Sequence, residues 1–283
     1  MPYTVRRVIY SLPLHKPEVT SKLEKIVDIE KITSEFLIRH IDNRMKCREQ
    51  VTWLSNLDFG EFCEYLLPYR LTNEPMIGWQ DSTQTLWKEV LQEMTYYDEL
   101  PQTLENAMSF QRNLTGNRDD DYVSGLKTPE GIYNFDCIDR SYYDIHCFRA
   151  SGVASAVDFI PHWPTRNGNH YWKVIIDPDL KFSNLSETRN PVSAKVYRIT
   201  YSHNEIPRPE HPDETVPDFF QHPFYRDVSS DYMNVGDIEL PVSFSKDYSP
   251  EYIYLCVFSN FEWQPVAWSK VRKGKAVFSG YGI

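Results

Sequence analysis

A cysteine and a histidine near the middle of the chain have the order and spacing that nucleophilic catalysis by a thiol requires. Cys137 follows Asp136, a favourable N-cap residue, and the apolar spacing of Ile138, Tyr142 and Ile145 predicts a helix that begins at Cys137. The unpaired amides and the positive dipole of a helix N-terminus stabilise a thiolate and can hold a developing oxyanion. The sequence therefore predicts Cys137 as a nucleophile.

The segment after this helix predicts a base for the thiol. SAVDFIP is typical of a strand, PTRNGN of a turn and HYWKVIID of a second strand that starts at His170. A helix, a strand and a turn bring the chain back to the end where the helix began. We therefore expect His170 within hydrogen-bond reach of Cys137, as cysteine catalysis requires.

The imidazole of a catalytic histidine needs a third group that fixes its tautomer, and here the residues leave several choices. The side chains available after the second strand are those of Asp177, Asp179, Ser183 and Asn184. Three further residues flank His170 and are candidates for shaping a substrate slot: Trp163, Asn169 and Trp172. Packing at the sheet edge is the alternative for the two tryptophans, and we favour it for Trp172.

These motifs resemble those of the transglutaminase-like superfamily. In this sequence they are Cys137 at a helix start, Arg149-Ala-Ser-Gly152-Val-Ala-Ser, and His170-Tyr-Trp172. Flanking segments such as FCEYLLPYR and EYIYLCVFSNFEWQPVAW resemble bacterial transglutaminase-domain proteins that have a helical N-terminal region and a C-terminal β domain. The resemblance implies a papain-like core in which Cys137 and His170 are catalytic.

The sequence departs from the family pattern at two positions. Phe135 stands two places before the nucleophile, where the family commonly has a small residue, and the family's aspartate falls on Ser183 or Asn184. Because an asparagine can orient a histidine through its side-chain carbonyl, as in papain, we assign Asn184 as the third member, with Asp177 as the alternative.

The resemblance implies an enzyme that acts on amide bonds through a thioester. Water as acceptor gives a peptidase or amidase, an amine gives a cross-link, and we favour hydrolysis of a peptide or peptide-like substrate. The alternative is a catalytically inactive scaffold that binds peptide or glycan at the cell envelope. Relatives of this type imply an extracytoplasmic location, periplasm or cell surface, although the chain shows no signal peptide.

Composition indicates a folded chain and argues against several partners. Hydrophobic residues make up 41% and aromatic residues 14%, while the net charge is −10 with scattered basic residues, which disfavours nucleic acid. Five cysteines without a CxxC pair indicate neither a disulfide framework nor a metal site, and we expect no metal or other cofactor. No apolar run approaches the roughly 18 residues of a membrane span.

The pattern along the chain predicts an α+β protein in three parts. These are a helical N-terminal region (1–120), a transglutaminase-like core (121–192) and a C-terminal antiparallel β-sandwich (193–283), possibly truncated because the chain stops after an apolar run. Trp263 and Trp268 in the C-terminal part are candidates for a carbohydrate platform, but we favour packing for both. Asp158, in the first predicted strand of the core, is interpreted as a solvated or structural carboxylate.

Overall fold

A computed structural model describes residues 27–50, 57–71, 137–150, 152–176, 183–184, 192–245 and 249–282. The helices are α1 (Asp28–Lys31), α2 (Ser34–Gln50), α3 (Phe59–Tyr65) and α4 (Cys137–Ala150). The strands are β1 (Ser155–Ile160), β2 (His170–Ile175), β3 (Ser183–Asn184), β4 (Tyr197–Ile199), β5 (Tyr225–Asp227), β6 (Val235–Pro241), β7 (Tyr252–Ser259), β8 (Glu262–Lys270) and β9 (Lys275–Gly282). Helices and antiparallel sheets together confirm the α+β class.

The central element is a five-stranded antiparallel sheet with the strand order β3-β2-β1-β4-β5. All six residues of β1 are buried, in agreement with its position in the middle of the sheet. The predicted strands SAVDFIP and HYWKVIID are thereby confirmed as β1 and β2, which pair over their full length from Ser155 opposite Ile175 to Ile160 opposite His170.

The predicted helix after Asp136 is confirmed as α4, and its end explains the Arg-x-x-Gly motif. Gly152 has a φ of 79°, and the amides of Gly152 and Val153 donate to the carbonyls of Arg149 and Phe148, the Schellman pattern of a helix C-terminus. The buried guanidinium of Arg149 also donates to the carbonyl of Ser155 through Nη2 at 2.8 Å. This motif therefore joins the end of α4 tightly to the start of β1.

Helices from two parts of the chain pack on the sheet: α2 and α3 from the N-terminal region, and α4. Helix α4 contacts β2 and β1. Another buried cluster joins α2, α3 and the sheet, and its members include Cys47, Phe62, Tyr65, Leu66, Ala156, Ile160, Trp172 and Val174. An Asp58–Glu61 capping box starts α3, and the buried Arg44 of α2 donates to the carbonyl of Arg149 at 2.6 Å. The rest of the predicted helical N-terminal region, residues 1–26, 51–56 and 72–120, lies outside the described residues.

The chain after residue 192 contributes to the same sheet. Strand β4 pairs with β1 through Asp158 opposite Arg198, and β5 pairs with β4. The predicted boundary between residues 192 and 193 therefore lies between strands of one sheet. Strand β5 is only three residues long and lies in a Pro-rich stretch, so the alternation pattern did not predict it.

The C-terminal strands form two antiparallel pairs, β6 with β9 and β7 with β8. Strands β8 and β9 also contact each other, and two tight turns with positive φ connect β7 to β8 and β8 to β9. The antiparallel β character of this part is confirmed, while the sandwich arrangement stays a prediction. None of the helices in the described ranges has both the length and the apolar character needed to cross a bilayer.

Candidate active site at the start of strand β2

The predicted nucleophile is the first residue of α4. Cys137 is a free, partly exposed thiol, and the Oγ of Ser141 donates to its carbonyl at 2.7 Å, one turn into the helix. The positive end of the helix dipole lies at this terminus, so the thiol occupies an electropositive helix end. This environment is suited to an anion at the position of the sulfur.

A buried ion pair fixes how α4 runs relative to β2. Nζ of Lys173 lies 2.8 Å from Oδ2 of Asp144, and the Asp144 side chain is fully buried. Cys137 precedes Asp144 by about 10 Å of helix, and His170 precedes Lys173 by about 10 Å of strand. Arg149 near the C-terminus of α4 donates to the carbonyl of Ser155, which pairs with Ile175 at the end of β2, so α4 and β2 run in the same direction along the sheet. Cys137 and His170 therefore lie at the same end of the sheet.

Cys137 belongs to α4, which packs on one face of the sheet, whereas the His170 side chain projects from the other face. Lys173 points toward α4, and side chains alternate along a strand, so His170 and Trp172 project from the opposite face. The His170 ring lies 6.2 Å from Trp163 and 5.6 Å from Trp172 between ring centroids. Among the residues that the structure describes, Cys137 and His170 share no hydrogen bond.

The surroundings of His170 favour its neutral form. Burial lowers the pKa of the imidazole, and the positive charge of Arg166 lowers it further. The Arg166 guanidinium lies over the Trp163 ring, 4.1 Å from the ring centroid, and so stays close to the histidine. A neutral imidazole is the form that accepts a proton from a thiol.

Trp172 is held by a buried polar network that the sequence did not reveal. Its Nε1 donates to the hydroxyl of Tyr232 at 2.9 Å, and that hydroxyl in turn donates to the carboxylate of Asp158. Arg198 binds both oxygens of Asp158 through Nε and Nη2, each at 2.8 Å. The Asp158 side chain is fully buried, so of its two interpretations the structural one is correct and the solvated one is wrong. The packing role favoured for Trp172 is confirmed.

The turn that leads into His170 is tied to the β7–β8 hairpin. The Gly168 amide donates to Oδ1 of Asn260 at 3.0 Å, and the Asn260 amide donates to Oδ1 of Asn167 at 2.8 Å. The Ser259 hydroxyl adds a bond to the carbonyl of Arg166 at 3.2 Å. A hairpin about 90 residues further along the chain thus borders the candidate site, which local sequence patterns do not predict.

The other predicted site residues lie in different surroundings. Asn184 pairs with Val174 through the backbone, four residues beyond His170 along β2, which corresponds to about 13 Å. The role assigned to Asn184 stays a prediction. Asp177 lies outside the described residues. Asn169 is exposed, and Trp163 is buried with 7% of its surface accessible.

Two further features bear on ligands. Within the described residues, no cluster of three His, Cys, Asp or Glu side chains could hold a metal ion. A cleft of about 750 Å³ lies near the opposite edge of the sheet, lined in part by Lys195, Asp227, Glu239 and Lys275. Its three lysines are already paired, Lys195 with Asp227, Lys270 with Glu251 and Lys275 with Glu239. The cleft is separate from the end that carries His170.

Comparisons with known proteins leave the sequence motifs around Cys137 and His170 as the basis for a functional assignment. No protein-family model, curated protein or solved structure matches the chain. The resemblance to the transglutaminase-like superfamily therefore depends on Cys137 and on residues 149–155 and 170–172.

Proposed function

We propose that this protein is a transglutaminase-like cysteine enzyme that acts on amide bonds, with hydrolysis favoured over cross-linking. The observation that carries the proposal is the position of Cys137 at the N-terminus of α4, at the same end of the sheet as His170. The papain-like character of the core and the roles of both residues belong to this proposal.

The chemistry follows from the two side chains and the helix. His170 accepts the thiol proton, and the Cys137 sulfur attacks the carbonyl carbon of an amide. The oxygen of the tetrahedral intermediate takes the negative charge beside the first amides of α4. The intermediate collapses to a thioester as His170 returns the proton to the leaving amine. Water then attacks the thioester, which releases a carboxylic acid and restores the thiol.

Substrate binding has to bring the two side chains together, because they do not form a hydrogen bond in the described structure. Hydrogen bonds between catalytic groups are often long or poorly aligned without substrate and tighten in the complex. His170 is the first residue of β2 and pairs with Ile160, so bringing its ring to the face of α4 requires this end of the β1–β2 ladder to open.

The test is the pH dependence of alkylation by iodoacetamide, mapped to each cysteine by mass spectrometry. We expect Cys137 to react rapidly below pH 7 in the wild type and slowly in His170→Ala. Cys47 and Cys256 are internal controls, because burial raises the pKa of each thiol. If Cys137 reacts no faster than Cys256, or reacts equally in both proteins, the proposed Cys–His pair does not exist.

Activity is then measured with a blocked glutamine peptide, by ammonia release in the absence and presence of a primary amine. Cys137→Ser is expected to abolish release, whereas Cys256→Ser retains it and controls for loss of any cysteine. Release without amine incorporation identifies a hydrolase, and incorporation identifies a cross-linking enzyme.

The second candidate is the inactive scaffold, and one observation favours it. His170 lies on the face opposite the Lys173 side chain and packs against Trp163 and Trp172, where it can act as part of a binding surface. A scaffold of this kind predicts peptide binding that is indifferent to Cys137→Ser and an unreactive thiol in the alkylation experiment.

A further inference from the structure

The tip of the β7–β8 hairpin exposes three aromatic side chains to solvent. The exposed fractions are 54% for Phe258, 85% for Phe261 and 70% for Trp263. Burial would normally stabilise such large apolar groups, and clusters of them on a surface mark sites of interaction. The packing role favoured for Trp263 is therefore wrong.

Two residues at this tip, Asn260 and Phe261, have strained backbone angles, and in this conformation the Phe261 ring is exposed to solvent. Asn260 and Phe261 have φ values of 55° and 65°, the pattern of a two-residue hairpin turn whose second position is normally glycine. A bulky side chain in the left-handed region is an outlier that costs free energy, and such residues concentrate at functional sites. The turn between β8 and β9 has Gly274 at the corresponding position.

The hairpin tip is also fixed against the candidate active site. Asn260 exchanges hydrogen bonds with Asn167 and Gly168, three and two residues before His170. The aromatic cluster thus lies next to the turn that leads into His170. A ligand that reaches His170 from this side meets these rings.

We propose that Phe258, Phe261 and Trp263 form a subsite that binds an apolar side chain of a peptide substrate. This inference rests on the function proposed above, because it names the substrate class of that site. The subsite selects peptides that carry an aromatic or large aliphatic residue near the amide under attack.

The ring geometry favours a side chain over a sugar. Phe258 and Trp263 are paired across the two strands with centroids 5.5 Å apart and planes inclined by 69°. A sugar ring stacks on a flat aromatic face, and the inclined rings do not form one flat surface together. The Oδ1 atoms of Asn260 and Asn167 already accept backbone amides, so they are engaged within the protein.

Charge disfavours a membrane as the occupant. The chain has a net charge of −10, and the exposed Glu262 lies at the tip between Phe261 and Trp263. Negative charge at this position opposes approach to an anionic lipid surface. A neutral peptide side chain meets no such repulsion.

The experiment measures peptide binding by full-length protein carrying Cys137→Ser, which prevents turnover. The probes are fluorescein-labelled hexapeptides with blocked ends, each with one glutamine and with Phe, Leu or Ser at one of the other five positions. Fluorescence anisotropy gives the dissociation constants. At one position we expect Phe and Leu to bind about tenfold more tightly than Ser, the effect of burying one apolar side chain.

Variants then locate the source of this discrimination. Phe261→Gly and Trp263→Thr are expected to reduce the ratio of the Ser to the Phe dissociation constant toward one. Phe261→Gly also relieves the strained turn, so its urea midpoint should equal or exceed that of the parent, which separates lost binding from lost folding. Lys273→Gly, which relieves a left-handed residue with a φ of 51° in the β8–β9 turn, is the matched control and should retain the full ratio.

Other results would overturn the subsite. Equal affinity for Phe, Leu and Ser peptides at every position, or discrimination unchanged in both tip variants, contradicts it. Binding of neutral phosphatidylcholine vesicles or of chitotetraose, lost in Phe261→Gly and without discrimination among peptides, assigns the tip to a membrane or a glycan. Because binding is measured without catalysis, discrimination lost in the tip variants supports the subsite even if alkylation shows Cys137 to be unreactive.

Discussion

Lys173 of β2 and Asp144 of α4 form an ion pair of 2.8 Å beneath the surface of the protein. The Asp144 side chain is fully buried and that of Lys173 has 10% of its surface accessible. The pair sets which face of β2 lies against the helix that begins with Cys137. Loss of either charge therefore affects both stability and the arrangement of the candidate site.

Removing one member of this pair should destabilise the protein strongly. Asp144→Asn leaves the Lys173 ammonium buried without its counter-charge and should lower the free energy of unfolding by about 3 kcal/mol. Urea denaturation measures the change. The double variant Asp144→Leu with Lys173→Met should recover most of the loss, because no charge then remains buried. A double variant as unstable as the sum of its single variants would show that the pair does not interact.

Protonation of His146 should contribute to acid unfolding. Burial, and next the charge of Arg149, lower the pKa of His146 to about 3. The unfolded chain takes up this proton below about pH 6.5 and the folded chain does not. The stabilisation that neutral His146 gives the folded state is therefore fully present above about pH 6.5. It decreases as the pH falls toward 3, by up to about 1.4 kcal/mol per pH unit.

The measurement for His146 is the free energy of unfolding at several pH values between 7 and 4, in the wild type and in His146→Gln. The variant is expected to show a shallower decrease, whatever its absolute stability. Parallel profiles in the two proteins would exclude the contribution.

The charge of Arg166 should be measurable at His170. Arg166→Gln removes the second cause of the lowered pKa, so the pKa of His170 should rise while burial still keeps it below its usual value. An NMR titration of the imidazole reports the change. Arg208→Gln, a surface substitution between β4 and β5, removes the same charge as a control and should leave His170 unaffected. Equal shifts in both variants would assign the effect to net charge alone.

The Tyr232 hydroxyl should stabilise the sheet behind the imidazole. Tyr232→Phe keeps the ring against Trp172 but leaves the Trp172 Nε1 without its acceptor, at a cost of about 1–3 kcal/mol. Denaturation followed by tryptophan fluorescence measures the loss. Tyr252→Phe is the control, since the Tyr252 hydroxyl has no hydrogen bond to another described residue. A smaller loss for Tyr232→Phe than for the control would contradict the network.

Local patterns predicted the elements that carry the site, because each has a local physical cause. The helix that begins at Cys137, its glycine-dependent end at Gly152 and the strand that begins at His170 all follow from capping, periodicity and turn residues within short windows. The direction of α4 relative to β1 follows as well, since only a tight connection separates them.

The arrangement around His170 depends on contacts between distant parts of the chain. The pairing of Asp158 with Arg198, and the hydrogen bonds between Asn167 and Asn260, join residues that no local pattern connects. The register of β3 was also beyond prediction, because a two-residue strand carries no alternation. Exposure of Trp263 was misjudged for a related reason: apolar composition alone does not distinguish a core residue from a ring presented on a hairpin tip.

The hydrogen bonds between the turn at Asn167 and the hairpin at Asn260 constrain the lengths of the two loops relative to each other. Each loop supplies an amide donor and an amide acceptor to the other, so a residue inserted in one displaces both bonds at once. Changes of loop length at this end of the molecule therefore have to be made in both loops together. A library that varies either loop alone would lose the alignment between the imidazole and the aromatic tip.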